Sequence, residues 1–339
     1  MKAPFVYFGG KSTVAHIVWQ ALGQPKQYIE PFFGSGAVLL LRENYDPTKY
    51  YEIVNDKDGY ISNVWRALQQ APDEVAKWCD YPINHADLSA RKMRLIEKEG
   101  YLLENLIKDD MWFDPKLAGY WIWAASCWIG SGLTRIGQIP RLTGNNGVHR
   151  IGQIPQLTRN NGVHHIGQIP QLTRNNGVHQ IGQIPHLTGS SGMQEPYNEN
   201  IYKWFRELSE RLRYVKVVCG DWTRVCGGDW QDNNGIVGMF FDPPYGVTDR
   251  AVNIYHQDSV NIAKDVMEWV KERGKKETYR IVIAGYEEYQ ELLSIGWTEH
   301  KWKAMGGYGN LNKGDKGGKK NRFRENLYMS PHCIKNTLF

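Results

Sequence analysis

The chain has 339 residues, with 41% hydrophobic and 23% charged residues and a formal net charge of +5. That length accommodates one large or two ordinary domains with a sizeable core, and the composition excludes a disordered or fibrous chain. No apolar run reaches the roughly 20 residues that a membrane-spanning helix needs. The N-terminus, Met1-Lys2-Ala3-Pro4, lacks the apolar core of a secretory signal. Five scattered cysteines, Cys79, Cys127, Cys219, Cys226 and Cys333, fit neither a disulfide framework nor a zinc pattern. The expectation is reduced thiols, a cytoplasmic location and no structural metal.

In chain order, a short buried strand is expected at Tyr28–Pro31, ending in Pro31-Phe32-Phe33-Gly34-Ser35-Gly36, with a helix at Ala37–Glu43. A second strand, Tyr51–Val54, ends at Asn55-Asp56 and is followed by a helix at Gly59–Gln69. Asp87 to Trp128 reads as mostly helical. The second half resumes with a helix at Asn198–Arg213, carrying Ile201, Phe205, Leu208 and Leu212 at helical spacing. Strands follow at Val215–Cys219, Ile236–Phe241 and Arg280–Ala284, with a helix at Val260–Glu272 between the last two. Trp297–Lys303 and Glu325–Met329 read as a closing hairpin. Alternating strands and helices predict an α/β fold with a parallel or mixed sheet covered on both faces.

The middle of the chain is an internal repeat. Ile136–Arg150, Ile151–His165 and Ile166–Gln180 are 15-residue copies, and Ile181–Gly192 is a truncated fourth. Each full copy pairs a Pro with an Asn-Gly, a strong turn signal, so short extended segments and turns are expected rather than helix. The stretch Thr134–Gly192 contains Arg135, Arg141, Arg150, Arg159 and Arg174 and no Lys, Asp or Glu, which equals the whole positive excess. A second cluster, Lys313 to Arg324, has six basic residues and Asp315. Two positive regions on a balanced body point to a polyanionic partner. A tolerated loop expansion is the alternative for the array.

Three motifs carry chemistry. In Glu30-Pro31-Phe32-Phe33-Gly34-Ser35-Gly36, a glycine turn between strand and helix lets backbone approach a ligand. It makes Glu30, Pro31, Phe32, Gly34 and Gly36 candidate cofactor contacts, or a structural turn. Three dinucleotide-type glycines are absent, so hydride chemistry is disfavoured. Asp56 lies where a doubly wound fold presents an acid to ribose hydroxyls, with a helix N-cap as the other reading. Asp242-Pro243-Pro244-Tyr245 follows the apolar Met239-Phe240-Phe241. Two prolines rigidify the loop and remove donors, leaving a carboxylate, a free carbonyl and a ring at the ligand-binding edge of the sheet. That set suits an exocyclic amine: two acceptors for N–H and a ring to stack on a base.

With Phe8-Gly9-Gly10-Lys11 at the N-terminus, these motifs in this order resemble the Dam-type (D12 class) DNA adenine-N6 methyltransferases, over about residues 1–70 and 214–330. The resemblance implies a Rossmann-like methyltransferase sheet, S-adenosylmethionine as methyl donor and double-stranded DNA as substrate, with no membrane and no obligate protein partner. It implies catalytic roles for Asp242, Pro243, Pro244 and Tyr245. It assigns Tyr7, Gly9, Gly10 and Lys11 to the N-terminal cofactor contacts, Asp56 to the ribose, and Asp221, Trp222 and Asp242 to the cofactor pocket. In that family the aromatic before Gly-Gly-Lys is usually Trp; here it is Tyr7. Residues 1–80 and 193–339 would form the catalytic domain, and 81–192, with the repeats at 136–192, an inserted target-recognition region. Such an enzyme would fit a restriction–modification setting. Cytosine-C5 methylation needs a cysteine nucleophile, typically after a proline, and no Pro-Cys occurs. Cytosine-N4 methylation and an inactive repeat-based DNA-binding protein are the alternatives.

Overall fold

The computed structural model describes residues 1–5, 11–127, 199–232, 235–244, 255–302 and 325–335. The repeats and the basic cluster Lys313–Arg324 lie outside these residues, as do Tyr7, Gly9, Gly10 and Tyr245. Two compact units emerge: Met1–Ala3, Tyr7–Asp58 and Tyr214–Phe339 form one, Pro4–Val6 and Gly59–Arg213 the other. The main stretch of the second unit, Gly59–Arg213, is wider than the inserted region expected at 81–192.

The first unit is built on a mixed seven-stranded sheet. Its strands are β1 (Gln27–Glu30), β2 (Tyr51–Asp56), β3 (Val215–Cys219), β4 (Val237–Phe241), β5 (Tyr279–Gly285), β6 (Thr298–Lys301) and β7 (Asn326–Met329). Their spatial order is β3-β2-β1-β4-β5-β7-β6. β1 to β5 are mutually parallel, and β7 is inserted antiparallel between β5 and β6. The order therefore reverses between β1 and β4, the switch point at which open α/β sheets bind ligands.

Burial explains why the central strands read as continuous apolar runs. All residues of β1 and β4 are buried, as expected for parallel strands covered on both faces. On one face Ile29, Ile53, Met239, Phe241, Ile281 and Ile283 pack into a cluster with Trp222, Val266, Met267, Val270 and Leu292. Their alternation is the period of two of a strand. The other face carries helix α1 (Ala15–Leu22) and the short α2 (Ala37–Leu40), where Trp19 Nε1 donates to Val38 O at 2.7 Å and its ring lies 4.7 Å from that of Tyr28. Gly238 faces Pro25; a Cβ there would lie 2.5 Å from Pro25 Cγ, so the strand admits only glycine at that contact.

Helices α3 (Gly59–Gln70), α4 (Pro72–Cys79), α5 (His85–Lys108), α6 (Pro115–Cys127) and α7 (Glu199–Leu212) make the second unit. Ile201, Phe205, Leu208 and Leu212 of α7 are all buried, as their spacing predicted. Phe5 packs edge-on against Trp121 and tilted on Trp65. Arg66 Nη1 donates to the carbonyls of Leu106, Asp109 and Trp112, satisfying the C-terminal end of α5. Asn63 and Asp114 exchange two hydrogen bonds, and Asp114 Oδ1 accepts from Leu117 N at the start of α6. Arg91 lies over the rings of Tyr81, Tyr120 and Trp123 at 4.2–4.6 Å. α8 (Thr223–Cys226), α9 (Tyr255–Arg273) and a 3-10 helix (Glu287–Ile295) complete the first unit.

Candidate active site

The carboxyl ends of β1, β2, β3 and β4 share one edge of the sheet. At the end of β1, Glu30 is buried and accepts a hydrogen bond from Tyr28 Oη at 2.8 Å. Burial pushes its carboxyl well above the usual range, opposed by the Tyr28 hydrogen bond and reinforced by the charge of Asp242. Pro31 and Phe32 follow, and the loop then needs two left-handed residues: Gly34 has φ +49° and Gly36 φ +64°. Only glycine adopts these without steric cost, and Gly36 is the cap of α2.

The loop is tied to β2 by two bonds. Phe33 N donates to Asn55 O at 2.9 Å, and Gly34 N donates to Asp56 Oδ2 at 2.8 Å. Asp56 Oδ1 accepts from Asp58 N. Asp56 is half-buried, and burial pushes its carboxyl up to about 6, against the pull of the Asp58, Gly34 and Lys57 amides. The carboxylate thus braces the chain locally, and it stands at the end of β2, where a doubly wound fold presents an acid to ribose hydroxyls. Asn55, which no sequence motif singles out, is buried beside it. Its Nδ2 donates to Pro31 O and Gly220 O, both at 3.0 Å, joining the ends of β1 and β3 across β2, while its Oδ1 has no partner among the described residues.

Beyond β3, Asp221 is exposed and accepts from Thr223 N and Oγ1, fixing the turn that leads into α8. Trp222 points into the core, buried among Phe32, Phe241 and Trp269 at ring separations of 6.3–6.4 Å. Phe32 is only partly buried. All five cysteines are free and buried. Burial raises the Cys226 thiol, which makes it a poor nucleophile.

At the end of β4 lie Asp242, partly exposed, Pro243, buried, and Pro244, exposed. Lys11 Nζ donates to Asp242 Oδ2 at 2.8 Å and lies 2.8 Å from Glu325 Oε1. The Lys11 side chain is 3% exposed. Burial alone would lower its ammonium pKa, but the two carboxylates outweigh it and the net direction is up. Glu325 reaches this edge because β7 runs antiparallel to β5, with Asn326 opposite Gly285.

The structure thus brings Lys11, Glu30, Pro31, Gly34, Gly36, Asp56, Asp242 and Pro243 to one sheet edge. A glycine loop without Cβ atoms, an acid after the next strand and a carboxylate at the switch point fit a nucleoside-bearing cofactor such as S-adenosylmethionine. A seven-stranded, mostly parallel sheet with these loops at its switch point is consistent with a methyltransferase fold. Residues 7–118 match the family model described as D12 class N6 adenine-specific DNA methyltransferase. The protein is accordingly a DNA (adenine-N6) methyltransferase that uses S-adenosylmethionine as methyl donor. Comparison with curated proteins gave no match. The matched stretch includes the glycine loop and Asp56; Asp242 and Glu325 lie beyond it. Among the described residues no helix is long and apolar enough to cross a membrane.

Proposed function

We propose that the chain methylates adenine at a target site in double-stranded DNA, with Asp242 and the Pro243 carbonyl accepting the hydrogens of the N6 amine. The adenine is taken out of the duplex, because its amine cannot reach a donor within the stack. Tyr245 stacks on the extruded base. The adenine N6 lone pair is delocalised into the ring, and two acceptors favour the pyramidal geometry that frees it. No covalent bond from base to enzyme is needed, so catalysis is positioning and electrostatics. The proton shed from N6 leaves after transfer, with Asp242 as its first acceptor.

S-adenosylmethionine, when bound, supplies a methyl group carried on a positive sulfur. Its holders in this reading are the backbone of Gly34 and Gly36, with Glu30, Pro31 and Phe32 beside it, and Asp56 at the ribose. Asp221, Trp222, Tyr7, Gly9, Gly10 and Lys11 complete the pocket; Trp222 acts from the core, behind Phe32. Residues 1–80 and 193–339 carry the chemistry, and 81–192 reads the DNA target. A reducing, cytoplasmic setting is consistent with five free thiols.

The observation that carries this reading is the Asp242 carboxylate on the same edge as the Gly34 amide and Asp56. In Asp242→Ala, methyl transfer to DNA should be abolished while cofactor affinity stays within a few-fold. Labelled methyl incorporation and calorimetry measure the two. Activity near wild type would remove Asp242 from the chemistry.

A further inference from the structure

We infer that Glu325 is a positioning residue of the methyl-transfer site, acting on Asp242 through Lys11. The inference rests on the reading of Asp242 as acceptor of the adenine amine. Lys11 and Glu325 side chains are 3% and 6% exposed, and Asp242 is 22% exposed. One ammonium therefore sits between an inner carboxylate from the start of β7 and an outer one from the end of β4. Buried ion pairs contribute little net stability, because desolvation offsets their attraction. A second buried carboxylate on one lysine is thus poorly explained by folding alone.

Its chemical effect follows from charge sharing. A lysine bound to Asp242 alone would neutralise that carboxylate and weaken it as an acceptor. Divided between two carboxylates, the ammonium fixes Asp242 by Oδ2 and leaves the group of three with a net negative charge. It also gives the four-carbon lysine chain a second anchor. β7 is itself held: Tyr328 Oη donates to Tyr286 O at 2.7 Å. Glu30 of β1 and Tyr289 of the 3-10 helix also sense the charge of Asp242.

The test compares Glu325→Gln, Glu325→Asp and Asp242→Asn by single-turnover methylation across pH, with cofactor affinity and thermal unfolding measured alongside. In Glu325→Gln the methylation rate should fall about tenfold, the rate equivalent of one unit in acceptor basicity. Cofactor affinity should change less than the rate, since Lys11 keeps its ion pair with Asp242 and the glycine loop is untouched. The acid limb of the rate profile should move to lower pH, because a like charge is removed from the neighbourhood of Asp242. In cofactor-free protein, the Lys11 ammonium followed by NMR should titrate at lower pH. Glu325→Asp should recover part of the rate. A wild-type rate and an unshifted acid limb in Glu325→Gln, with Asp242→Asn inactive, would overturn the role of Glu325 alone. An active Asp242→Asn would overturn the acceptor assignment itself. Should Glu325→Gln not fold, a reduced rate with unchanged cofactor affinity in Glu325→Asp supports the inference, and a wild-type rate there overturns it.

Discussion

At the scale of single residues, Asp56 shows how one carboxylate serves structure and ligand together. Its Oδ2 takes the Gly34 amide and its Oδ1 the Asp58 amide, so it sets the height of the glycine loop above β2. Burial raises its pKa from 3.8 to about 6. The native state therefore binds a proton more tightly than the unfolded chain. Stability from the neutral form is present below the unfolded value and is lost as pH rises through about 6. Cofactor binding has the opposite sign, because ribose hydroxyls donate to the ionised form. The dissociation constant for S-adenosylmethionine should rise by up to about tenfold per pH unit below about 6. Asp56→Asn should flatten that dependence, and Asp56→Ala should weaken binding by about 1.5–3 kcal/mol, the value of a hydrogen bond to a charged group. Calorimetry from pH 5 to 8 measures all three. Unchanged affinity in Asp56→Ala would leave the residue as a brace of the loop only.

At the scale of elements, what could be read in advance follows from local signals. β3, β4 and β5 are runs of Val, Ile and Phe with polar or glycine boundaries, so their limits were read to within a residue at each end. β2 extends two residues beyond the expected Val54, because its ladder with β3 continues to Asp56 opposite Cys219. α1 was not anticipated: its N-cap is Val14, without a side-chain cap. α4 did carry a start signal, Pro72 with Asp73 and Glu74 in the first turn, but its eight residues are shorter than a periodicity window resolves. The candidate site was legible where function requires a residue type at a strand end, as at Gly34, Asp56 and Asp242. Glu325 and Asn55 were not, because their roles come from strand pairings that join distant parts of the chain. Trp222 was noticed for its motif, yet its ring belongs to the core. Within the helical unit, Gly119 makes a prediction at this scale. A Cβ there would lie 2.4 Å from Trp78 Cβ and 2.8 Å from Val75 O, so α4 and α6 meet at a backbone contact. Gly119→Ala should destabilise the protein by about 1–3 kcal/mol through overpacking, despite the better helix propensity of alanine. Denaturant unfolding checks it, and a stabilised variant would show that the helices separate without cost.

At the scale of the whole molecule, the net positive charge and the candidate site fall in different parts of the sequence. The described site is a compact set of ion pairs and hydrogen bonds in which Lys11 is matched by Asp242 and Glu325, and at the amino end of the same strands the buried Arg42 is matched by Glu52. The positive excess lies instead in the five arginines of the repeat stretch. Arginine bound to phosphate attaches a protein without regard to sequence, whereas the Gln and Asn of each copy are residue types that read adenine edges. The array would then contribute affinity and target choice while the cofactor edge works independently. Deleting Ile151–Gln180 removes two whole copies and keeps the repeat phase. It also removes Arg159 and Arg174, and each lost phosphate contact lowers the slope of log affinity against log salt by about 0.9. The shortened protein should unfold at the same denaturant midpoint and bind S-adenosylmethionine as before. It should bind duplex DNA more weakly, with a slope reduced by up to about 1.8 if both arginines touch phosphate. Salt-titrated DNA binding and sequencing of methylated bases decide the matter. An unchanged affinity, slope and methylation pattern would make the array a tolerated loop expansion and move target reading to another part of the chain.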